Sequence, residues 1–192
     1  MRSFFVCALM LVIAGSIFSV AAQERQPENK GSAQSSDAKS VGDQIEVKTD
    51  RFSGVTTLKL KPQVILDKPE HRLTIEVETK VGDKSSSEWT MDEVHAYFRI
   101  TSQSKEFVDF GDRELHFMLD GKPLNLGKVA GRDPNFVSVF NRGVLEQFSK
   151  ASRIEMRFGT IEPTIGQSVA TLLREYAKQT LASHKAAKER KL

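Results

Sequence analysis

Apolar and polar residues alternate almost without a break from Leu73 to Val81, the pattern of a β-strand with one buried face. Shorter runs of the same period begin at Ile45, Thr56 and Val94. Successive side chains of a strand point to opposite faces, so each run has a core side and a solvent side. The expected core residues are Ile45, Val47, Thr56, Leu58, Leu60, Leu73, Ile75, Val77, Thr79, Val81, Val94, Ala96, Phe98 and Ile100.

A hairpin is predicted at Asp120-Gly121, because this dipeptide favours a type I′ turn, which needs positive φ at both central residues. A two-residue loop fixes the register of the two flanking strands. The predicted pairs are Leu119 with Lys122, Phe117 with Leu124, Leu115 with Leu126, and, on the opposite face, His116 with Asn125. The apolar partners then meet on one side of the hairpin.

Two helices are predicted after the hairpin. Asn141 can cap a short helix near 141–151, which a strand over 154–158 follows. The last element is an amphipathic C-terminal helix near 165–187, where Thr164 and Gln167 resemble a capping box. The expected fold class is α+β, mainly β, with an antiparallel sheet or sandwich of about seven to nine strands.

The first 22 residues have the layout of a cleavable signal peptide: Arg2, an uncharged apolar stretch, and small residues at the end. Cleavage is expected after Ala22, which makes the mature protein secreted or periplasmic. An uncleaved anchor is the alternative, because the stretch approaches the roughly twenty residues that span a bilayer. Residues 23–43 are polar and predict a flexible tether, and 44–192 predict one β-rich domain. No transmembrane segment is expected once the signal is removed.

Composition excludes several functional classes. The only cysteine, Cys7, lies in the predicted signal, so the mature chain has no disulfide, cysteine nucleophile or cysteine metal ligand. The net charge of +3 is too small to indicate specific nucleic-acid binding. The sequence contains none of the best-known enzyme motifs, and no cofactor or metal is predicted. Whether the protein is an enzyme stays open, with the balance towards a non-enzyme.

The chain resembles small secreted bacterial proteins of unassigned activity, in a region from Asp50 to about Leu181. The shared motifs are DRF-x-x-VTT (Asp50 to Thr57), DGK-x-L (Asp120 to Leu124), VLEQFSKA (Val144 to Ala151), IEMRFG (Ile154 to Gly159) and LLREYA (Leu172 to Ala177). The resemblance implies a β-rich domain with a closing strand and a C-terminal helix. It carries over no catalytic residue and no function.

The densest set of functional side chains on one predicted strand face is His95, Tyr97 and Arg99. If the strand Leu73 to Val81 pairs with it, Glu76 and Glu78 lie nearby. Such a face can bind an anionic ligand or carry out acid–base chemistry. The alternative is cross-strand charge pairing on a solvated face. These three residues are the candidate ligand-binding site.

Three further features can be interpreted either as functional or as ordinary structural features. His71, His95 and His116 would form a zinc site only if their strands are neighbours, and otherwise are ordinary sheet residues. Trp89 with Tyr97 can form a stacking surface for sugars, or lie in the core or its rim. The basic end of the last helix can attract anionic polymers, or simply complement the helix dipole.

The leading hypothesis is an exported, non-catalytic binding or structural module of the bacterial envelope or extracellular space. Its motifs specify folding rather than chemistry. The alternative is a hydrolase, or a protein that binds a small ligand or metal, and that uses the strand face around His95. The partner is unknown, and an envelope or extracellular ligand is the expected kind.

Overall fold

The computed structural model describes residues 41–82, 93–104 and 109–189. The predicted signal peptide, the tether up to residue 40, Trp89 and residues 190–192 lie outside this part of the chain. The helices are α1 (Val41–Gln44), α2 (Arg142–Lys150) and α3 (Gln167–Glu189). The strands are β1 (Ile45–Thr49), β2 (Thr56–Asp67), β3 (His71–Val81), β4 (Ala96–Ser104), β5 (Glu114–Leu119), β6 (Lys122–Lys128), β7 (Ala130–Arg132), β8 (Asn135–Phe140) and β9 (Ile154–Phe158).

The strands form two antiparallel sheets, which confirms the expected fold class. The large sheet has six strands in the order β1-β2-β3-β4-β8-β7, and the small sheet has three in the order β6-β5-β9. Alternation makes one face of the large sheet apolar, with Leu58, Ile75 and Phe98 essentially inaccessible to solvent. The predicted strand Leu73 to Val81 is β3, which pairs with both β2 and β4.

Phenylalanines join the two sheets through their inner faces. Phe98 of β4 stacks on Phe140 of β8 with ring centroids 4.8 Å apart. Phe117 of β5 approaches Phe98 edge to face at 5.7 Å and Phe148 of α2 at 5.0 Å. Edge-to-face pairs contribute about 0.5 to 1.5 kcal/mol beyond the burial of their area. This cluster therefore ties the small sheet and α2 to the β4–β8 half of the large sheet.

Both predicted helices form. The side chain of Asn141 accepts a hydrogen bond from the Val144 amide at 3.0 Å, so it caps α2 as expected. Helix α3 packs on β2 and β3, and the buried Tyr176 hydroxyl donates to the Leu58 carbonyl oxygen at 3.2 Å. The predicted capping box is wrong, because α3 begins at Gln167 and Thr164 precedes its first turn. No helix in the described ranges combines the length and the apolar character that a membrane crossing requires.

The predicted hairpin is confirmed at its turn and in the register of the pairs closest to the turn. Asp120 and Gly121 have φ of 50° and 79°, and Phe117 pairs with Leu124 and His116 with Asn125. The predicted Leu115–Leu126 pair is wrong. A bulge adds one residue to β6 between Asn125 and Lys128, with Gly127 at a φ of 72° that favours glycine.

Two sequence expectations about burial and strands also differ from the structure. Val47, predicted to be buried, is 51% exposed, although it pairs with the buried Leu58. It lies on the edge strand β1, whereas α3 covers β2 and β3. Strand β8 was not among the predicted runs, because its outward side chains Val137 and Val139 are apolar and hide the alternation.

The Asp120 carboxylate fastens the hairpin turn to the segment between α2 and β9. Its Oδ1 accepts from the Arg153 amide at 2.7 Å and from the Ser152 amide at 3.0 Å. The hydrogen bonds from Arg153 and then Ser152 lower the pKa of Asp120. A carboxylate with a lowered folded-state pKa stabilises the fold above the unfolded pKa of about 4, and this contribution is lost as the pH falls through the folded value.

We therefore expect Asp120→Ala to lower the unfolding midpoint at neutral pH. The wild-type advantage should shrink as the pH falls below about 4, since protonation weakens Asp120 as an acceptor. Urea unfolding of both proteins between neutral and acidic pH measures this difference. Asp67→Ala, at the exposed end of β2, is the control. A wild-type advantage that stays constant into strong acid would show that the turn geometry, not the charge, is responsible.

Candidate functional site

The polar face predicted from the sequence exists on the outer side of the large sheet. Tyr97 and Arg99 lie on β4, and His95 immediately precedes this strand. The pairing of β3 with β4 places Glu76 opposite Arg99 and Glu78 opposite Tyr97, as the sequence pattern suggested. The side chain of Tyr97 is 40% exposed. The structure thus brings the three candidate residues and both glutamates onto one open face.

Ion pairs occupy the charged groups of this face. Arg99 Nη1 lies 3.3 Å from Glu76 Oε1 and 3.1 Å from Glu78 Oε2. Lys59 Nζ is 3.5 Å from the other oxygen of Glu76. Cross-strand pairs of this kind contribute about 0.2 to 1 kcal/mol each. An anion at Arg99 would compete with two carboxylates already in place, which favours the charge-pairing interpretation of this face.

His95 is half-buried, and burial lowers its pKa despite the opposing effect of Glu93. Its backbone carbonyl accepts a hydrogen bond from the Thr79 hydroxyl across the β3–β4 pair. The lowered pKa favours the neutral form of the imidazole. A neutral histidine beside a neutralised arginine gives this face little positive charge for an anionic ligand.

The three strand histidines do not come together. His71 pairs with Ser104 at one end of β4, whereas His95 precedes its other end, roughly 30 Å away at the rise of a strand. His116 lies on β5 in the small sheet. Across the described ranges no group of three histidine, cysteine or acidic side chains is placed to hold a metal ion.

A cleft of about 630 Å³ lies over the small sheet, and this site was not predicted from the sequence. Strands β5, β6 and β9 supply one side, and the segment from Glu162 to Gln167 with Ala170 of α3 supplies the other. Its apolar lining residues include Met118, Leu124 and Ile165. The volume falls within the range of small-molecule sites.

A row of polar side chains crosses this sheet and lines the cleft. Strand pairing places Asn125, His116 and Arg157 side by side on β6, β5 and β9. His116 Nε2 lies 3.1 Å from Glu114 Oε2. An ionised carboxylate can only accept, so with Glu114 ionised Nε2 donates this hydrogen bond, and in the neutral imidazole Nδ1 is then the acceptor nitrogen.

The charged groups of the cleft differ in their pairing. Arg153 and Glu155 form an ion pair at 2.8 Å. Within the described part of the chain, Arg157 forms no ion pair with a carboxylate. Glu162 likewise forms no ion pair there with a cationic side chain. The cleft thus combines an available guanidinium, an available carboxylate, an amide and an imidazole with an apolar wall. This set is suited to a ligand that carries both polar and apolar groups.

A second exposed feature is the turn between β1 and β2. Asp50 Oδ1 accepts hydrogen bonds from the amides of Phe52 and Ser53 at 2.7 and 2.8 Å, and Gly54 donates to the Asp50 carbonyl. These bonds order the turn that contains Phe52, whose exposed fraction is 97%. The DRF-x-x-VTT motif is therefore a structured turn that presents one aromatic ring to solvent.

No family model matches the chain, and no curated protein or solved structure matches it.

Proposed function

We propose that the protein is an exported, non-catalytic binding module whose ligand occupies the cleft over the small sheet. The observation that carries this proposal is the cleft itself, which is lined both by the row of Asn125, His116 and Arg157 and by apolar residues such as Leu124 and Ile165. A concave site with a few convergent polar groups is the usual form of a ligand site. On the outer face around His95, Arg99 is already held in ion pairs with Glu76 and Glu78.

The proposal is tested by ligand-induced stabilisation. The panel comprises carboxylates, sugars, short peptides, anionic lipids and zinc chloride, each measured by the shift of the thermal midpoint. A ligand at 100 times its Kd stabilises the folded state by about 2.7 kcal/mol. Ile165→Asp places a charge in the cleft and should abolish the shift.

Val139→Asp is the matched control, because it places the same charge on the outer face of β8, where Val139 is 43% exposed. It should leave the shift unchanged. A shift that survives Ile165→Asp but disappears in Arg99→Gln would contradict the proposal and place the ligand on the polar face of β4.

The contact between Glu114 and His116 favours a second candidate, an acid–base enzyme that uses the same cleft. With Nε2 donating to Glu114, Nδ1 of His116 can accept a proton from a bound substrate. Turnover lost in both Glu114→Gln and His116→Gln, with binding of the panel ligand retained in each, would establish catalysis. Loss of binding without any measurable turnover would support the binding module.

For export, we expect the mature chain recovered outside the cytoplasm to begin at Gln23 by intact-mass analysis. The charged variant Ala22→Asp should accumulate unprocessed, because the peptidase requires a small residue immediately before the cleaved bond. Ala21→Asp, one position earlier, is the control and should still be processed. A recovered chain that retains Met1 would contradict cleavage and support an N-terminal anchor.

A further inference from the structure

The outer edge of β9 carries backbone groups that its sheet does not use. Two hydrogen bonds at the ends of the β5–β9 pair show which residues are hydrogen-bonded pairs. Gly159 donates to the Glu114 carbonyl at 2.9 Å, and the Asp120 amide donates to the Arg153 carbonyl at 3.0 Å. Hydrogen-bonded and non-hydrogen-bonded pairs alternate in an antiparallel ladder. The backbone groups of Ile154 and Met156 therefore point away from β5, towards the free edge.

The chain after β9 begins to cover this edge and then leaves it. Phe158 and Ile161 exchange two backbone hydrogen bonds, of 2.8 and 2.9 Å, across a tight turn. Continued in that register, the returning segment would place Pro163 opposite Met156. Proline has no N–H to donate, so the ladder stops there. Among the described residues no other backbone group bonds to the outward N–H and C=O of Met156.

The cleft lies along this unused edge. Four of the five residues of β9, Ile154 to Arg157, line it, and the segment from Glu162 to Ile165, which departs from the ladder, forms its opposite side. The space between them thus has an unpaired strand edge on one side. An added strand can satisfy such an edge with its own main chain.

We propose that the ligand of the cleft is an extended peptide that pairs with β9 as an added strand. This proposal rests on the proposed function, that the cleft is the binding site. The side chains of such a strand alternate between two environments. One set contacts Met156 and Ala170, and the other lies beside Glu155 and Arg157. The peptide is therefore one with apolar residues at every second position and polar residues between them.

The experiment starts from a phage-displayed library of random linear dodecapeptides, panned on the wild-type protein and counter-selected on Ile165→Asp. Enriched peptides are synthesised and titrated by calorimetry. Each backbone amide is then N-methylated in turn. Because only every second amide of an added strand faces β9, methylation should weaken binding at least tenfold at alternate positions and about twofold or less between them.

Amide hydrogen exchange gives a second readout in the wild-type protein. The Met156 amide, which has no backbone partner among the described residues, should exchange faster than the Arg157 amide in the free protein and at least a hundredfold more slowly at saturating peptide. The Arg157 amide, which already faces β5, is the internal control and should change little. Retention of fast exchange at Met156 in the bound state would overturn strand addition.

The remaining outcomes separate this proposal from the proposed function. If methylation has no alternating effect, a peptide binds but not as a strand, and strand addition is wrong. If no peptide is enriched while a sugar, lipid or carboxylate gives a shift that Ile165→Asp abolishes, the cleft is a binding site and the peptide proposal fails. If neither peptides nor the panel bind, both proposals fail.

Discussion

A chain that ends at Gly166 should not fold. Helix α3 buries Val169, Leu172, Leu173 and Tyr176, and it packs on β2 and β3. Each large apolar side chain contributes about 1.5 to 3 kcal/mol on burial, so these four contribute about 6 to 12 kcal/mol. The whole margin of a typical domain is about 5 to 15 kcal/mol. Circular dichroism, urea unfolding and limited proteolysis of the truncated chain measure the effect.

The matched control removes only residues 185–192, after the buried stripe of α3 has ended at Thr180. This shorter truncation should leave a cooperative unfolding transition and a protease-resistant core. A Gly166-terminated chain that stays monomeric and unfolds cooperatively would contradict the prediction. Helix α3 would then be an appendage for a partner, and the surface it leaves on β2 and β3 would be the place to look for that partner.

Phe117→Asp should have a comparable effect from a single substitution. Phe117 is 2% exposed and contacts Phe98, Phe140 and Phe148. Loss of a buried phenylalanine costs about 3 to 5 kcal/mol, and a carboxylate in its place has no partner there, which adds several kcal/mol more. The expected result is an unfolded or insoluble protein, assessed by soluble yield and near-ultraviolet circular dichroism.

Met118→Asp is the control for this substitution, because Met118 is the next residue of β5 and points to the opposite face, where it is 36% exposed. It should fold with a stability close to wild type. Equal damage from both substitutions would mean that the small sheet is covered on both faces and that the cleft is closed in solution.

Local pattern was enough to predict most of the elements of the fold. Strict alternation identified β3, the Asp-Gly turn identified the β5–β6 hairpin, and Asn141 identified the start of α2. Strand β8 was missed because Val137 and Val139 are apolar on the outward face. The pairing of β4 with β8 joins distant segments, and no local signal specifies such a neighbour.

The polar face of β4 and the cleft over the small sheet also differ in how far local sequence pattern could predict them. The ion pairs of Arg99 with Glu76 and Glu78 follow from adjacent strands and their register, so the sequence pattern anticipated them. The cleft draws its residues from three separate segments, 116–125, 153–157 and 162–170, which meet only through the order of the small sheet and the path of α3. Pro163 follows the short segment that turns back along β9 and pairs Ile161 with Phe158, and it is the one local signal of that site.

The bond between Tyr176 and Leu58 joins residues 118 positions apart, and both are buried. Strand β2 is synthesised before its cover, α3. The inner face of the large sheet therefore cannot be completed until α3 has also been synthesised. Contacts of such long sequence separation slow folding and expose apolar strands in the meantime. We therefore expect chains that lack α3 to expose the apolar face of β2 and β3 and to be the species that chaperones and proteases encounter.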